Sequence, residues 1–330
     1  MNTIKRIIAL LLSLTLVFAL AACSGKKPAD TTESESQTKP EPQTEPEPEP
    51  ETESEPDANP AYPFTLESYP RMGGSLANLP LGQAVTATVL GVSRERANDF
   101  ITFAGSTTDN YKALVDGDFD ILLAYEPSEE AKKYIKNSGT ELEMVPIGVD
   151  ALVFICSNEN PVDDLTMDQV KDIYRGKITN WKEVGGNDAE IIPYQRNKDS
   201  GSQTLFDKLV NLGDELMDVP IEYRIETMQG LLEAVAEYDN SENAIGFTVY
   251  YYLTNMESEK LKTSKILPVD GVEPSNETIA RGEYPLTNDF YVVIRADEPQ
   301  NSPVRILQDW ITSAQGRELV KRENYPVRDK

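Results

Sequence analysis

Between Ser24 and Tyr62 the chain has almost nothing to bury, and this decides where a fold can form. Runs such as Glu45-Pro46-Glu47-Pro48-Glu49-Pro50 offer no apolar surface to offset the entropy of ordering, while like charge and proline keep the backbone extended. The segment reads as a solvated tether. It holds 11 acidic and 3 basic residues, so a net charge of -8 out of the chain's -25 lies outside any core. About 268 residues follow, enough for one large or two moderate domains with a substantial core.

The chain contains no histidine. Ser-His-Asp and Cys-His nucleophile systems are therefore excluded, and a zinc site would have to be built from cysteine or carboxylates alone. No metal and no cofactor is expected. The acidic balance, 31 Lys+Arg against 56 Asp+Glu, opposes nucleic-acid binding, which draws on clustered basic residues. Carboxylate pairs such as Glu129-Glu130 and Asp163-Asp164 read as solvated faces, and nothing sets two carboxylates across a substrate as a glycosidase requires. The expectation is a binding protein and not an enzyme.

Residues 1–22 read as a targeting segment: Lys5 and Arg6, then an apolar stretch from Ile7 to Leu20 broken only by Ser13 and Thr15, too short for a comfortable membrane span. Leu20-Ala21-Ala22-Cys23 resembles the lipobox of bacterial lipoproteins. That resemblance implies lipidation of Cys23 and anchoring on the extracytoplasmic face of the cell membrane, with residues 23–62 as the tether. Only Cys156 then remains, so no intrachain disulfide is expected. Cys156 closes the apolar run Ala151-Leu152-Val153-Phe154-Ile155-Cys156, where a buried inert thiol is expected.

Beyond Tyr62, strand-length apolar runs (Asp120 to Ala124, Ala151 to Cys156, Phe290 to Ile294) alternate with segments of helical period, among them Leu205, Phe206, Leu209, Val210 and Leu231, Leu232, Val235. The alternation predicts an α/β fold. A turn of glycine and small hydroxyl residues leads into a helical segment three times: Gly73-Gly74-Ser75-Leu76-Ala77-Asn78, Gly105-Ser106-Thr107-Thr108, and Arg196-Asn197-Lys198-Asp199-Ser200-Gly201-Ser202. Such turns leave the first N–H groups of a helix unpaired, which suits an anion, although Ser or Thr there also serves as an ordinary N-cap. The third turn stands apart because Arg196 adds a guanidinium fork beside the helix N-terminus.

Tyr194-Gln195-Arg196 followed by Ser200-Gly201-Ser202-Gln203-Thr204 resembles the R-x-x-x-S-G-T/S anion loop of the phosphate-binding lipoproteins of ABC phosphate importers (PstS-like). The stretch Asp172-Ile173-Tyr174-Arg175-Gly176-Lys177-Ile178-Thr179-Asn180-Trp181 is similar to a characteristic block of that family, as are Asn243-Ala244-Ile245-Gly246-Phe247 and Val269-Asp270-Gly271. The resemblance runs from about Pro70 to the C-terminus. It implies a two-lobed class II periplasmic-binding-protein-like fold with the ligand cleft between lobes: lobe 1 from residues 63–148 and 244–330, lobe 2 from 149–243, with crossings near Pro146 to Asp150 and Asn243 to Gly246.

Carried onto this sequence, the resemblance implies an oxyanion site of Ser75, Asn78, Ser106, Glu126, Arg196, Ser200, Gly201 and Ser202. The sequence departs from the family where Gly73 and Leu76 stand in the first turn and where Tyr125-Glu126 precedes Pro127. Glu126 would then be the acceptor for the proton of a monohydrogen phosphate. The implied partners are phosphate or a related tetrahedral oxyanion, an ABC permease and the membrane through the lipid, with the protein itself a monomer. The alternative is a non-transporting surface protein for sensing or adhesion, on the same fold with a degenerate cleft.

Overall fold

The computed structural model describes residues 63–236 and 241–328. The targeting segment, Cys23 and the tether lie outside the described residues. The expected apolar runs are strands. In chain order these are β1 (Met72–Gly74), β2 (Ile121–Ala124), β3 (Leu142–Ser157), β4 (Ile192–Pro193), β5 (Gln195–Arg196), β6 (Arg224–Ile225), β7 (Ala244–Val249), β8 (Ser264–Leu267) and β9 (Thr287–Arg295). The helical segments are α1 (Leu79–Leu90), α2 (Arg94–Ala97), α3 (Thr107–Asp116), α4 (Glu129–Ser138), α5 (Met167–Tyr174), α6 (Gly201–Leu209), α7 (Met228–Ala236), α8 (Asn276–Ala280), α9 (Pro303–Thr312) and α10 (Ala314–Arg322).

The long strand β3 organises the molecule because it changes partners along its length. From Leu142 to Ala151 it pairs antiparallel with β9, with a bulge between Pro146 and Gly148. From Leu152 onward it pairs with β7 on one side and, from Phe154, with β8 on the other. β9 continues to β2 and β1, and β7 to β4, giving the order β1-β2-β9-β3-β7-β4 with β8 off this path. Every β3 residue from Ile147 to Ser157 is buried, as expected of a strand covered on both faces. One half of the fold is thus built around β1, β2, β9 and the start of β3, and the other around β4, β7, β8 and the end of β3. The first half draws on both ends of the chain, because α9 packs on β9 and α10 on α1.

The stretch Pro146 to Asp150, where the first crossing is expected, lies inside β3. The return does not coincide with Asn243 to Gly246. That stretch runs into β7, whose partner is the far half of β3, and β8 pairs there too. Residues 287–295 are the first to pair again with Leu142–Ala151. A continuous apolar strand after a polar stretch looks the same in sequence whether it crosses or stays.

Asp150 makes the second-to-last pairing of β3 with β9, opposite Asn288, and is fully buried. Its Oδ1 accepts from Ala151 N (2.7 Å) and Tyr251 N (3.1 Å), and its Oδ2 accepts from the Tyr125 hydroxyl at 2.7 Å. Tyr125 follows β2 and Tyr251 follows β7, so the carboxylate ties the two halves together. The Tyr251 ring stacks on Tyr325 (3.5 Å, 8°), so Tyr251 packs beneath this junction. Cys156 is buried and unpaired, its thiol pushed up to about 12 by burial.

Burial pushes the Asp150 carboxyl up to about 6, against the opposing pull of its three donors. An acid whose folded pKa exceeds its unfolded value of 3.8 gives stability that is present below about pH 4 and lost as pH rises towards 6. Asp150→Asn keeps the acceptor for both N–H groups and removes the titration. Urea unfolding of wild type and variant should therefore diverge between pH 4 and 6, by up to about 3 kcal/mol in favour of the variant's relative stability at the upper end. A stability difference that does not change with pH would contradict the account.

Candidate functional site

The three glycine-hydroxyl turns converge on one cavity of about 400 Å³. Ser75 comes from the first, Ser106 and Thr107 from the second, and Arg196, Ser200, Gly201 and Ser202 from the third. The first two turns belong to the β1-β2 half and the third to the β7 half, so the cavity lies between the halves.

On the β7 side the site depends on how α6 is held. Ser200 caps the helix by accepting from Gln203 N at 3.1 Å. This leaves the N–H groups of Gly201 and Ser202, which have no intrahelical acceptor, at the cavity wall. Phe206 fixes the helix from below: it stacks on Phe247 at 4.5 Å and meets Tyr174 edge-on at 4.7 Å, within a cluster completed by Phe154. Contacts of this kind add roughly 0.5–1.5 kcal/mol each beyond area burial.

Arg196 lies in β5, hydrogen-bonded to β6, and only 6% of it is exposed. Its Nε donates to Ile225 O (3.0 Å), Nη2 to Glu226 O (2.9 Å) and Nη1 to Ser202 Oγ (3.1 Å). Two of its five N–H donors remain. Among the described residues no carboxylate forms an ion pair with it. Desolvation lowers its pKa to about 10, with Asp199 acting more weakly in the opposite direction. A buried cation held by carbonyls and a hydroxyl, beside a helix N-terminus, is positioned to receive an anion.

On the other side, Ser106 caps α3 through a box with Asp109: its Oγ accepts from Asp109 N and donates to Asp109 Oδ2 at 2.8 Å. Thr107 follows it, and its Oγ1 shares a 3.1 Å hydrogen bond with Ser75 Oγ, which also accepts from Tyr125 N at 3.2 Å. The halves touch beside the cavity, where Thr108 Oγ1 donates to Asp199 O at 2.9 Å.

Two expected site residues do not line the cavity. Asn78 is buried under the turn before α1, with Nδ2 donating to Leu123 O at 3.2 Å. Glu126 accepts from Lys208 Nζ (2.7 Å) and the Tyr291 hydroxyl (3.2 Å). Because Lys208 lies on α6 and also donates to Asn288 Oδ1 (2.7 Å), Glu126 bridges the two halves. Tyr125 takes the place at the cavity, with its hydroxyl turned to Asp150. Thr107 and Asp199 also line it. Both stood inside the turns recognised from sequence, but which hydroxyl caps the helix and which faces inward is set by backbone geometry. Among the described residues no cluster of three or more Asp, Glu, Cys or His is suited to a metal.

A family model described as a PBP superfamily domain matches residues 71–315. The phosphate-binding protein PstS of Bacillus subtilis is 33% identical over 139 residues, covering 41% of this chain and 42% of that protein. This chain spans about half the length of the curated relatives it matches. Among solved structures, a phosphate ABC transporter substrate-binding protein from Clostridium perfringens with bound phosphate is similar at a TM-score of 0.61 and 27% identity, over 78% of this chain and 98% of that one. An ABC-type phosphate transport receptor from Vibrio cholerae is similar in fold, at a TM-score of 0.57 and 21% identity over 77% and 98% of the two chains.

Gly201 marks how closely the halves approach. A Cβ there would lie 2.8 Å from Thr107 Oγ1, a short, hydrogen-bonded side chain that cannot swing clear. Gly201→Ala should cost roughly 1–3 kcal/mol in urea unfolding, as overpacking does, and Thr107→Ala in the same chain should recover part of it. An alanine at 201 without cost would mean that the halves do not meet there.

Proposed function

The chain belongs to the PBP superfamily, and from that premise we propose that it is an extracytoplasmic solute receptor that captures phosphate or a related tetrahedral oxyanion and delivers it to an ABC permease. The observation that carries this reading is Arg196: a buried guanidinium with no carboxylate partner among the described residues, two N–H groups to spare, and the N-terminus of α6 beside it. An anion placed there neutralises a charge that burial otherwise penalises, and it gains hydrogen bonds from both halves of the fold. Ser75, Ser106, Ser200, Gly201 and Ser202 complete the set of ligand-binding residues in this reading, with Thr107 added from the geometry. Phosphate in the crystal of the Clostridium perfringens protein supports the same ligand class.

The N-terminal assignments belong to the same reading. Residues 1–22 act as a signal peptide, Cys23 carries the lipid, and residues 23–62 hold a monomeric receptor off the membrane surface. We assign lobe 2 to residues from about 151 to 286 and lobe 1 to the remainder on both sides, following the strand pairing. The protein performs no chemistry on its ligand in this account.

Isothermal calorimetry tests the site. Charge-assisted hydrogen bonds contribute roughly 1.5–3 kcal/mol each, so Arg196→Ala should weaken phosphate binding by about one to two orders of magnitude. Arg196→Lys should restore only part, since an ammonium cannot match the guanidinium fork. Equal binding by wild type and Arg196→Ala would refute the assignment. In the same titrations Glu126→Gln should leave the ratio of phosphate to sulfate affinity unchanged, because Glu126 meets Lys208 and not the cavity. A changed ratio would return Glu126 to the ligand.

A further inference from the structure

We infer that Gln203 is a positioning residue for phosphate: it stands outside the cavity wall and sets the distance between the Arg196 guanidinium and the N-terminus of α6. This rests on the oxyanion reading of the cleft and adds a residue to it.

The donors that the β7 half offers an anion come from two separate elements, the strand β5 with Arg196 and the helix α6 with the N–H groups of Gly201 and Ser202. Only the turn of residues 197–200 joins them along the chain, closed by Ser200 N donating to Asn197 O at 3.0 Å. Lys198 is exposed and Asn197 and Asp199 are only half-buried, so the turn is not locked by packing of its own side chains. An anion gripped by both elements at once needs their separation held to within about 0.5 Å.

Gln203 supplies that hold. It is buried; its side-chain Oε1 accepts from Arg196 N at 2.9 Å, and its own N–H donates to Ser200 Oγ, the helix cap, at 3.1 Å. One residue of α6 thus grips the strand backbone at the root of the guanidinium. The amide cannot turn round. Its Nε2 donates to Asp207 Oδ1 at 2.8 Å, one turn further along α6; a carboxylate only accepts and the Arg196 N–H only donates, so both ends of the amide are assigned. The other hydrogen bond between the two elements, from Arg196 Nη1 to Ser202 Oγ at 3.1 Å, draws on the guanidinium itself. The Gln203 bond holds the strand by its main chain and leaves the remaining guanidinium donors to the anion. Without the amide a buried N–H loses its acceptor, and the strand must shift to find another.

Calorimetry with inorganic phosphate on the full chain, well below each variant's unfolding temperature, tests the inference. Gln203→Met keeps the length of the side chain and removes both of its hydrogen bonds; it should weaken phosphate binding by about five- to twentyfold. In an Arg196→Ala background the same change should cost less than about twofold, because no guanidinium is left to position. Gln203→Asn, too short to reach both partners, should give the same pattern and serves if Gln203→Met does not fold. Gln203→Glu combined with Asp207→Asn exchanges amide and carboxylate, keeps both hydrogen bonds, and should bind within about threefold of wild type. A lower unfolding midpoint with unchanged phosphate affinity would make Gln203 merely structural and overturn the inference. Equal weakening in both backgrounds, or no recovery in the exchanged pair, would overturn it too. In each of these cases wild type still binds phosphate and Arg196→Ala still weakens it, so the oxyanion reading stands. If wild type binds no phosphate, or Arg196→Ala binds it equally well, that reading and this inference fall together.

Discussion

Burying a guanidinium without a carboxylate ion pair is costly, and much of the β7 half can be understood as what makes it tolerable. Arg196 is pinned by two carbonyls from the β6 segment and by Ser202, so its charge is dispersed over hydrogen bonds, with only the weaker pull of Asp199 and no described ion pair to offset it. Those bonds hold only if β5 stays against β6 and α6 stays over the sheet. The second condition falls to Phe206, wedged among Phe154, Tyr174 and Phe247. The acidic surface does not override this local field. Charges beyond a Debye length of about 8 Å are screened, whereas dipoles and a cation at the ligand act at contact.

In the proposed reading the same arrangement would couple occupancy to shape. The cavity has walls from both halves of the fold, joined by β3 and its neighbour β9, and an anion touching both walls favours the state in which they meet. Near the junction, Asp150 accepts from Tyr125 on one side and Tyr251 on the other. Tyr125 also lines the cavity, so a single buried side chain connects the cavity wall to the junction of the two halves. Lys208, with Glu126 and Asn288, provides a second link at the rim. That link is partly exposed, so it contributes little energy and mainly fixes register.

Much of this was legible in the sequence because it depends on local patterns. The apolar runs at 120–124, 151–156 and 290–294 fall on β2, β3 and β9, and the turns at 73–78, 105–108 and 196–202 do converge. Arg196 and the Ser200-Gly201-Ser202 helix start stood out because the residue types needed for anion contact are adjacent in the chain. What the sequence did not carry depends on distant partners. Glu126 looked available until Lys208, far along the chain, was found against it. Asn78 reads like any polar residue at a turn, and only the fold turns it inward to Leu123. Strand pairing brings the chain back to the first half only at β9, which composition does not show, because strand partners are not written in strand composition.

The central claim is that a tetrahedral oxyanion sits between Arg196 and the N-terminus of α6, reached from both halves. Anomalous diffraction from crystals soaked in molybdate tests this most directly, since the metal identifies the anion without ambiguity. The account predicts one dominant peak in the cavity, with the oxygens within hydrogen-bond reach of the Arg196 Nη atoms and of the Gly201 and Ser202 N–H groups. A dominant peak elsewhere on the molecule, with the cavity free of anion, would contradict it.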